Sequence, residues 1–358
     1  MKIPFTNLIK HQNLFGNELN KVVSEVINSA DYINGKYNKI FEENFANFLG
    51  VKHCIGVGNG TDGLEIALLA LKIGRDDEVI VPANSFVATA EAVVNIGAKV
   101  VFADCKDDNF NIDPNEIEKK ITDKTRCIIP VHLYGCAADM DEIMAIAKKN
   151  NLFVIEDAAQ AHGAVYKGRN IGSIGNIAVF SFYPGKNLGC YGDGGAVVTN
   201  DDVLARQIKM ISNHGRIDKY NHIFVGRNSR LDNLQAAVLN VKLKYLKEFN
   251  QRRITFAKYY GLQEQSIDFQ HVYHLYVIRV KEREKLIEHL SNKGISTGIH
   301  YPIGLPFLEA FKYLGHQPED FPITYKNQSQ ILSLPMYPEL NYNEIDYIRT
   351  CLDDKNIN

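Results

Sequence analysis

The sequence predicts an α/β protein with a mostly parallel central sheet flanked by helices, followed by a smaller C-terminal α/β domain. Two observations lead to this fold class. Short apolar runs alternate with helical segments between residues 53 and 157, which is typical of parallel strands joined by crossover helices. The chain has 358 residues, of which 45% are hydrophobic, so it is long enough to bury the cores of two domains.

The alternation can be followed segment by segment after a helical stretch at residues 15–29. In chain order the strand-like and helical segments read CIGVG, GLEIALLALKI, EVIVPA, SFVATAEAVVNIG, KVVFAD, RCIIPVHL, DMDEIMAIAKKNN and LFVIEDA. Their periodicities separate strands from helices. Two further apolar runs, IAVFSFY and GGAVVT, predict a pair of strands on either side of a glycine-rich loop.

The pattern changes near residue 240. There NVKLKYLKEFNQRRITFAKYYGL predicts one long charged helix. The helix leads into a region with one apolar run, VYHLYVIRV, and one helical run, EKLIEHLSNKG. We therefore predict a large domain over residues 1–240 and a small domain over residues 241–358.

Charge and composition argue against several classes of partner. The formal net charge is −2, and no basic arm or acidic tail favours nucleic acid or an anionic membrane. The chain has neither an uninterrupted apolar leader nor a bilayer-length apolar stretch, which predicts a cytoplasmic protein. The cysteines form no C-x-x-C pair and the histidines no H-E-x-x-H motif, so free thiols and no metal site are predicted.

The loop GVGNGTDG contains the pattern G-x-G-x-x-G between a predicted strand and a predicted helix. This pattern is typical of dinucleotide-binding loops, but those also need an acidic residue about twenty positions later. The next strand ends in PAN instead, so the dinucleotide interpretation fails. The backbone N–H groups of Gly60, Thr61 and Asp62 at a helix N-terminus can still bind one phosphate. The alternative for Asp62 is a helix N-cap without ligand contact.

The predicted buried strand LFVIEDA places Glu156 and Asp157 at its carboxyl end. Open α/β sheets bind their ligands at this edge, which makes the carboxylate of Asp157 a candidate for the site. The alternative is that Asp157 only caps the following turn and that Gln160 belongs to the same turn.

Lys186 follows the strand IAVFSFY and stands among the five glycines of PGKNLGCYGDGG. A lone loop lysine is usually solvated, but these glycines permit close backbone approach. A lysine held in such a pocket has a lowered pKa and forms a Schiff base with a carbonyl. A phosphate-binding loop, an aspartate for a ring nitrogen and a lysine for an aldehyde together predict a site for pyridoxal 5'-phosphate (PLP).

The same motifs resemble the DegT/DnrJ/StrS family of nucleotide-sugar aminotransferases, within the fold-type-I, aspartate-aminotransferase-like PLP enzymes. The resemblance extends from IPFTNL to SLPMYPEL and includes GNGTDGLEIAL, EDAAQAHGA, FSFYPGKNLGCYGDGGA, GRNSRLDNLQAAVL and GIHYPI in the family's order. It implies transfer of an amino group from L-glutamate to a nucleotide-linked keto-sugar.

The resemblance also implies a role for each matching residue. Lys186 corresponds to the Schiff-base lysine that also moves the proton, and Asp157 to the carboxylate that keeps the pyridine nitrogen protonated. Gln160 matches the partner of the ring hydroxyl. The remaining cofactor matches are the phosphate ligands Thr61, Asp62 and Ser181 and the ring-stacking aromatic Phe86, for which a core position is the alternative.

Two further groups of matches concern the partner subunit and the substrate. Asn228 is similar to the family asparagine that reaches the cofactor phosphate of the neighbouring subunit, which implies a homodimer with shared active sites. The matches to the sugar-nucleotide contacts are Tyr183, Lys219, His300 and Tyr301. Taken alone, Lys219 is equally typical of a solvated lysine, and GIHYP of a turn. The segment IGLPFLEAF departs from the family pattern, so no nucleotide or sugar contact is predicted there.

The residues around the lysine favour a 3-keto substrate. FYPGKNLG followed by YGDGGA resembles the subgroup that acts on 3-keto sugars, whereas the 4-keto subgroup more often has a histidine before the proline. We predict amination of a dTDP-3-keto-6-deoxyhexose to a dTDP-3-amino-3,6-dideoxyhexose. The alternatives are a UDP-linked 3-keto sugar and a 4-keto-6-deoxy nucleotide sugar.

Two other functions are disfavoured by the residues present. A deoxygenase or dehydratase of the same family typically carries histidine in place of the lysine. A non-catalytic, sugar-nucleotide-binding regulatory protein is expected to have lost the lysine or the aspartate. Lys186 and Asp157 both stand in intact motifs.

Overall fold

The computed structural model describes residues 1–261 and 269–353, and these residues form twelve strands and thirteen α-helices. The strands are β1 (His53–Val57), β2 (Glu78–Pro82), β3 (Lys99–Ala103), β4 (Thr125–Ile128), β5 (Phe153–Asp157), β6 (Val165–Tyr166), β7 (Arg169–Asn170), β8 (Ile177–Ser181), β9 (Gly195–Thr199), β10 (Phe269–Gln270), β11 (Tyr276–Arg279) and β12 (Ile331–Leu334). The helices are α1 (Leu8–Asn13), α2 (Gly16–Ser29), α3 (Lys36–Leu49), α4 (Gly60–Ala70), α5 (Ala88–Asn95), α6 (Pro114–Lys120), α7 (Met140–Lys149), α8 (Asp202–Ile211), α9 (Asn233–Leu243), α10 (Leu246–Tyr260), α11 (Arg283–Asn292), α12 (Pro322–Gln330) and α13 (Tyr342–Leu352). Short 3₁₀ helices cover Leu133–Gly135, Leu305–Phe307, Glu309–Leu314 and Pro318–Asp320.

Seven strands form the central sheet in the order β1-β9-β8-β5-β4-β2-β3. Four of the six neighbouring pairs are parallel, and only the two pairs that include β9 are antiparallel. Parallel neighbours require crossover connections, which explains why strands and helices alternate along the chain. The predicted mostly parallel α/β fold is confirmed.

Each face of the sheet has its own core. In β8, Ala178 and Phe180 belong to one apolar cluster, whereas Ile177 and Val179 belong to another, as the twofold period of a strand requires. Helices α3, α7 and α9 contribute to the first cluster, and α4, α5 and α8 to the second. Because both faces are covered, the strands read as continuous apolar runs.

A third apolar cluster contains residues from α10, α11, α13 and the β11–β12 pair, together with Ile3 from the N-terminus. The 3₁₀ segment that follows α11 instead packs into the core of the central sheet, through Leu305, Phe311 and Phe321. Residues beyond position 240 therefore contribute both to the third cluster and to the core of the central sheet. The domain boundary near residue 240 stays a prediction.

The prediction of one long helix from residue 240 is wrong. The chain forms two helices there, α9 and α10, with a break at Lys244 and Tyr245. The ring centroids of Tyr245 and Phe15 lie 5.4 Å apart, and the Tyr245 hydroxyl donates to Oε2 of Glu18 over 3.1 Å. We attribute the break to these contacts with the N-terminal helices, which no local periodicity encodes.

Several features of the described ranges bear on location and ligands. No helix within them is both long enough and apolar enough to cross a membrane. No three histidine, cysteine or carboxylate side chains in these ranges lie together as metal ligands do. All six cysteines carry free thiols. The cytoplasmic location stays a prediction.

Gly63 allows α4 to lie close against the sheet. A Cβ atom on Gly63 would stand 2.7 Å from Cγ1 of Val179 and 3.4 Å from Cγ2 of Val197, so any side chain there would push the helix away. At the first residue of α4, a Cβ on Gly60 would stand 3.0 Å from Cβ of Ser181. The last glycine of the G-x-G-x-x-G pattern thus has a packing role, which sets the position of the helix N-terminus.

We expect Gly63→Ala to lower the free energy of unfolding by about 1–3 kcal/mol, because the added methyl group overpacks the helix–sheet contact. Gly74→Ala is the matched control, since a Cβ on Gly74 meets no atom within 4 Å; its effect should stay within about 0.5 kcal/mol. Denaturant unfolding of both variants measures the difference. If Gly63→Ala and Gly74→Ala had the same free energy of unfolding, the close approach of α4 to the sheet would be contradicted.

Candidate active site

A cavity of about 940 Å³ lies at the carboxyl ends of the central strands. All predicted site residues except Lys219 and Asn228 line it: Gly60, Thr61, Asp62, Phe86, Asp157, Gln160, Ser181, Tyr183, Lys186, His300 and Tyr301. Parallel strands end at the same edge of a sheet, so segments distant in sequence meet there. The predicted cofactor residues of one chain, Asn228 apart, therefore surround a single space.

The N-terminus of α4 supplies unpaired N–H groups to this cavity. Oδ1 of Asn59 accepts the N–H of Asp62 over 2.8 Å, so Asn59 is the N-cap, and the alternative of Asp62 as N-cap is wrong. Within the described ranges the N–H groups of Gly60 and Thr61 have no acceptor. Free N–H groups at a helix N-terminus bind anions. Together with the nearby hydroxyl of Ser181, the free N–H groups of Gly60 and Thr61 fit one phosphate.

Asp157 is 5% exposed and accepts two hydrogen bonds. Oδ2 accepts the hydroxyl of Thr89 over 2.8 Å, and Oδ1 accepts the N–H of Ala159 over 3.2 Å. The alternative that Asp157 only caps the following turn explains the bond from Ala159 to Oδ1, but not the bond from Thr89 to Oδ2. Burial raises the pKa of Asp157, although Thr89, Ala159 and the charge of Lys186 partly oppose the rise. A buried carboxylate of this kind is stabilised most by a cationic partner, such as a protonated ring nitrogen.

Lys186 is half-buried at the start of a tightly turned loop. A Cβ on Gly189 would stand 2.5 Å from the carbonyl oxygen of Pro184, and the carbonyl of Gly189 accepts Nζ of the buried Lys242 over 2.6 Å. In the described chain, Nζ of Lys186 has neither a hydrogen bond nor an ion pair. Burial lowers the pKa of Lys186 to about 8, against the opposing charge of Asp157. The amine is therefore partly neutral near physiological pH and can act as a nucleophile.

Gln160 and Phe86 provide a donor and an aromatic face. Oε1 of Gln160 accepts the N–H of Tyr134 over 2.7 Å, while Nε2 donates to the hydroxyl of Tyr301 over 3.2 Å. These bonds orient the amide with its donor side towards Tyr301. Phe86 is 51% exposed, so the alternative of a core position is wrong. An exposed ring inside a ligand cavity fits the face of a planar heterocycle.

The DegT/DnrJ/EryC1/StrS aminotransferase family matches this chain over residues 13–353. The chain belongs to this family. It is 45% identical over 355 residues to the dTDP-3-amino-3,6-dideoxy-alpha-D-galactopyranose transaminase of Aneurinibacillus thermoaerophilus, with 97% of both chains covered. It is 43% identical over 360 residues to the pleiotropic regulatory protein of Geobacillus stearothermophilus, again with 97% of both covered. The solved structure of S. venezuelae DesV has a TM-score of 0.95 at 39% identity, covering 99% of this chain and 98% of that chain.

Membership confirms the predicted class of enzyme, a PLP-dependent sugar aminotransferase. The residues of this chain fit the cofactor. The free N–H groups of Gly60 and Thr61 suit its phosphate, Phe86 its ring face, Asp157 its ring nitrogen and Lys186 its aldehyde carbon. The role of each residue in holding the cofactor stays a proposal.

The aminotransferase cavity also contains the predicted sugar-nucleotide residues Tyr183, His300 and Tyr301. Nδ1 of His300 lies 2.8 Å from the hydroxyl of Ser333. Burial lowers the pKa of His300 to about 4, and the charge of Lys186 acts in the same direction. The His300 imidazole is therefore neutral at pH 7. Tyr183 is 60% exposed, so its phenol is accessible to a substrate.

Lys219 and Asn228 lie outside the cavity, on the segment between α8 and α9. Both are exposed, and Nζ of Lys219 stands 5.3 Å from the ring centroid of Tyr220. Asn228 forms an isolated antiparallel bridge with Asn213. Neither residue lines the cavity of its own chain, and their roles stay predictions.

The segment that departs from the family pattern, residues 304–308, does not line the cavity either. Its Leu305 is 1% exposed and donates its N–H to the carbonyl of Ala83 over 2.8 Å. Gly304 donates its N–H to Oε1 of Gln328 over 2.9 Å. The segment therefore packs against the protein interior outside the cavity.

Sequence reasoning missed Asn59 and Thr89. Asn59 had a local signal, because asparagine is a preferred N-cap and stands three residues before Asp62. Thr89 had none, since its bond to Asp157 joins residues 68 positions apart. Ser85 extends this network, since its hydroxyl lies 3.1 Å from that of Thr89.

We expect covalent capture of PLP by the apoenzyme to accelerate with rising pH and to be half-maximal near pH 8. The neutral amine is the nucleophile, and burial lowers the pKa of Lys186 to about 8. Asp157→Asn should move the midpoint to lower pH, because the Asp157 charge raises the pKa of Lys186. Stopped-flow absorbance of the bound cofactor measures the rate. The same titration with a free lysine derivative corrects for ionisation of PLP, and a midpoint near the ordinary 10.5 would contradict the burial effect.

Proposed function

We propose that this aminotransferase takes its amino group from L-glutamate and gives it to a dTDP-linked 3-keto-6-deoxyhexose. The product is a dTDP-3-amino-3,6-dideoxyhexose. The observation that carries the proposal is Lys186, a half-buried lysine whose pKa burial lowers to about 8, in one cavity with Asp157 and without a hydrogen bond or ion pair to any residue that the structure describes. The 3-amino-3,6-dideoxy sugar in the name of the Aneurinibacillus relative supports the substrate class, as do the residues around Lys186.

In this proposal Lys186, Asp157 and Thr89 have separate roles around the cofactor. When bound, PLP supplies an electron-withdrawing ring that stabilises negative charge on the donor or acceptor carbon. Lys186 holds the cofactor and, once displaced by the donor amine, carries the proton between the two reacting carbons. Asp157 stays ionised against the ring nitrogen, and Thr89 fixes its Oδ2.

The size of the cavity fits two alternating substrates. Its volume of about 940 Å³ lies near the upper end of the usual range for small-molecule sites. Donor and acceptor must both bring their reacting carbon to Lys186, so they bind in turn rather than together. This arrangement predicts ping-pong kinetics.

We also propose a homodimer with shared active sites. Asn228 and Lys219 are exposed and do not line the cavity of their own chain, and their segment exposes apolar side chains, among them Tyr220 at 80% and Val225 at 99%. Grouped exposed apolar side chains are typical of protein–protein contacts. In this proposal the segment of one subunit reaches the cavity of the other.

The first experiment records the visible absorbance of the wild-type holoenzyme beside Lys186→Ala. We expect L-glutamate to bleach the wild-type cofactor band, and a dTDP-linked 3-keto-6-deoxyhexose to restore it. Lys186→Ala should turn over about 10²- to 10⁴-fold more slowly, because the group that moves the proton is gone. Lys21→Ala serves as a surface control, since Lys21 is exposed on α2 and does not line the cavity.

The acceptors in this experiment separate the alternatives. Recovery of the band with only a UDP-linked 3-keto sugar, or only a 4-keto sugar, would replace the proposed substrate. A wild-type protein that binds no PLP, or a Lys186→Ala variant with wild-type turnover, would contradict the assignment of Lys186 and favour the regulatory alternative.

A second experiment tests the shared site by mixing two inactive variants, Lys186→Ala and Asn228→Ala. Refolded together, they should recover about a quarter of wild-type activity, since about half of the dimers are hybrids and each hybrid has one complete site. The recovery is measured as turnover against total subunit concentration, with each variant refolded alone as the control. No recovery from dimers shown to be hybrid would indicate that Asn228 serves its own subunit.

A further inference from the structure

We propose that Arg253 binds the α-carboxylate of the amino donor inside the active-site cavity. The inference rests on the proposed function, because it assigns a binding position to the donor of that reaction. It concerns a residue that the sequence motifs did not single out.

Arg253 is a buried cation on the wall of the cavity that contains Lys186. It belongs to α10 and is 7% exposed. Nη1 donates to the carbonyl of Met336 over 2.8 Å and to that of Tyr273 over 3.3 Å. These two bonds fix the plane of the guanidinium against the backbone of two C-terminal segments.

The rest of the guanidinium has no partner in the described chain. Nε is buried without an acceptor, and no carboxylate of the described residues lies within 4.0 Å as an ion pair. Burial lowers the pKa of Arg253 and the charge of Glu339 opposes this shift, but the two side chains form no ion pair within 4.0 Å, and the carboxylate of Glu339 accepts Nδ1 of His11 over 2.5 Å. A buried cation without a direct ion pair is unfavourable, and an anionic ligand would supply that partner.

The shape of the group favours a carboxylate. A guanidinium presents its N–H groups as a planar fork that matches the two oxygens of a carboxylate. With Nη1 committed to backbone carbonyls, Nε and Nη2 form the free edge of the fork. Phosphate can also accept such a fork, so position decides between the two anions.

Position favours the donor over the nucleotide. A short series of contacts joins Arg253 to the residue after Lys186: Arg253 donates to the carbonyl of Tyr273, and Oδ1 of Asn187 lies 3.3 Å from Nδ1 of the adjacent His274. Arg253 and Lys186 also line the same cavity, and in an α-amino acid the carboxylate is attached to the carbon that carries the amine. Tyr183, one of the matches to the sugar-nucleotide contacts, is 60% exposed, whereas Arg253 is 7% exposed.

The test separates the two half-reactions in Arg253→Gln, Arg253→Lys and wild-type holoenzyme. We expect the half-saturating concentration of L-glutamate to rise about 10- to 100-fold in Arg253→Gln, the usual effect of losing hydrogen bonds between charged groups, and to rise less in Arg253→Lys. Starting from the pyridoxamine form, the half-saturating concentration of the keto-sugar should stay within about twofold. Arg252→Gln is the matched control, because the neighbouring Arg252 does not line this cavity.

Three outcomes would overturn the proposal. The first is an unchanged response of Arg253→Gln to glutamate, the second a weaker response to the keto-sugar alone, and the third an equal loss of both responses together with thermal stability. The last result would assign Arg253 to structure alone, and the second to the nucleotide. A wild-type enzyme that responds to no amino acid would overturn the proposed function itself, and the donor site with it.

A second measurement leaves Arg253 intact, in case its variants do not fold. A crystal structure of Lys186→Ala holoenzyme with L-glutamate should show a carboxylate oxygen about 3 Å from Nε or Nη2 of Arg253. A glutamate whose carboxylates both bind elsewhere would overturn the proposal.

Discussion

The fully buried carboxylate of Glu156 accepts four hydrogen bonds at the carboxyl end of β5. Its donors are Nε2 of His132 and the N–H groups of Gly172, Ile174 and Gly175. Burial raises the pKa of Glu156, but the bonds from His132 and the backbone outweigh burial and lower it overall. The carboxylate is therefore ionised in the core, and it joins β5 to the turn before α7 and to the loop before β8.

This bonded carboxylate determines where the next residue can lie. Asp157 follows Glu156 directly, and its backbone N–H donates to the carbonyl of Pro130 on the adjoining segment. Nδ1 of His132 accepts the N–H of Ala138 over 3.1 Å, which leaves the proton on Nε2 for Glu156. The end of β5 is thus held by a hydrogen-bonded network in which Glu156 and His132 are fully buried, and such networks specify one arrangement of a core.

Several groups that face the cavity contrast with this paired network. Among the described residues, the N–H groups of Gly60 and Thr61 have no acceptor, and the side chains of Lys186 and Arg253 form no ion pair. Unpaired or poorly solvated polar groups are unfavourable in the protein without ligand. A ligand that pairs with them removes this cost, and the free energy gained contributes to its binding. The paired groups beside the site hold its shape, and the unpaired groups within it are left to bind ligands.

Residues beyond position 240 complete the cavity. The hydroxyl of Tyr134 donates to the carbonyl of His300 over 2.5 Å, and Gln160 donates to Tyr301, so the cofactor-binding and C-terminal segments share hydrogen bonds at the site. Arg253 in turn joins the backbones of Tyr273 and Met336. The C-terminal part of the chain thereby positions both a wall of the cavity and the cation that we assign to the donor.

The sequence by itself determined the strands and helices of the sheet and the residues that end its strands, including Asp157, together with the lysine loop after β8. The reason is that period and glycine placement are local properties, and that strands covered on both faces read as apolar runs. Only the tertiary structure decided the break at Lys244 and Tyr245, the bond from Thr89 to Asp157, and the isolation of Arg253. These depend on which distant segments surround a residue, because burial, pairing and pKa arise from neighbours in space.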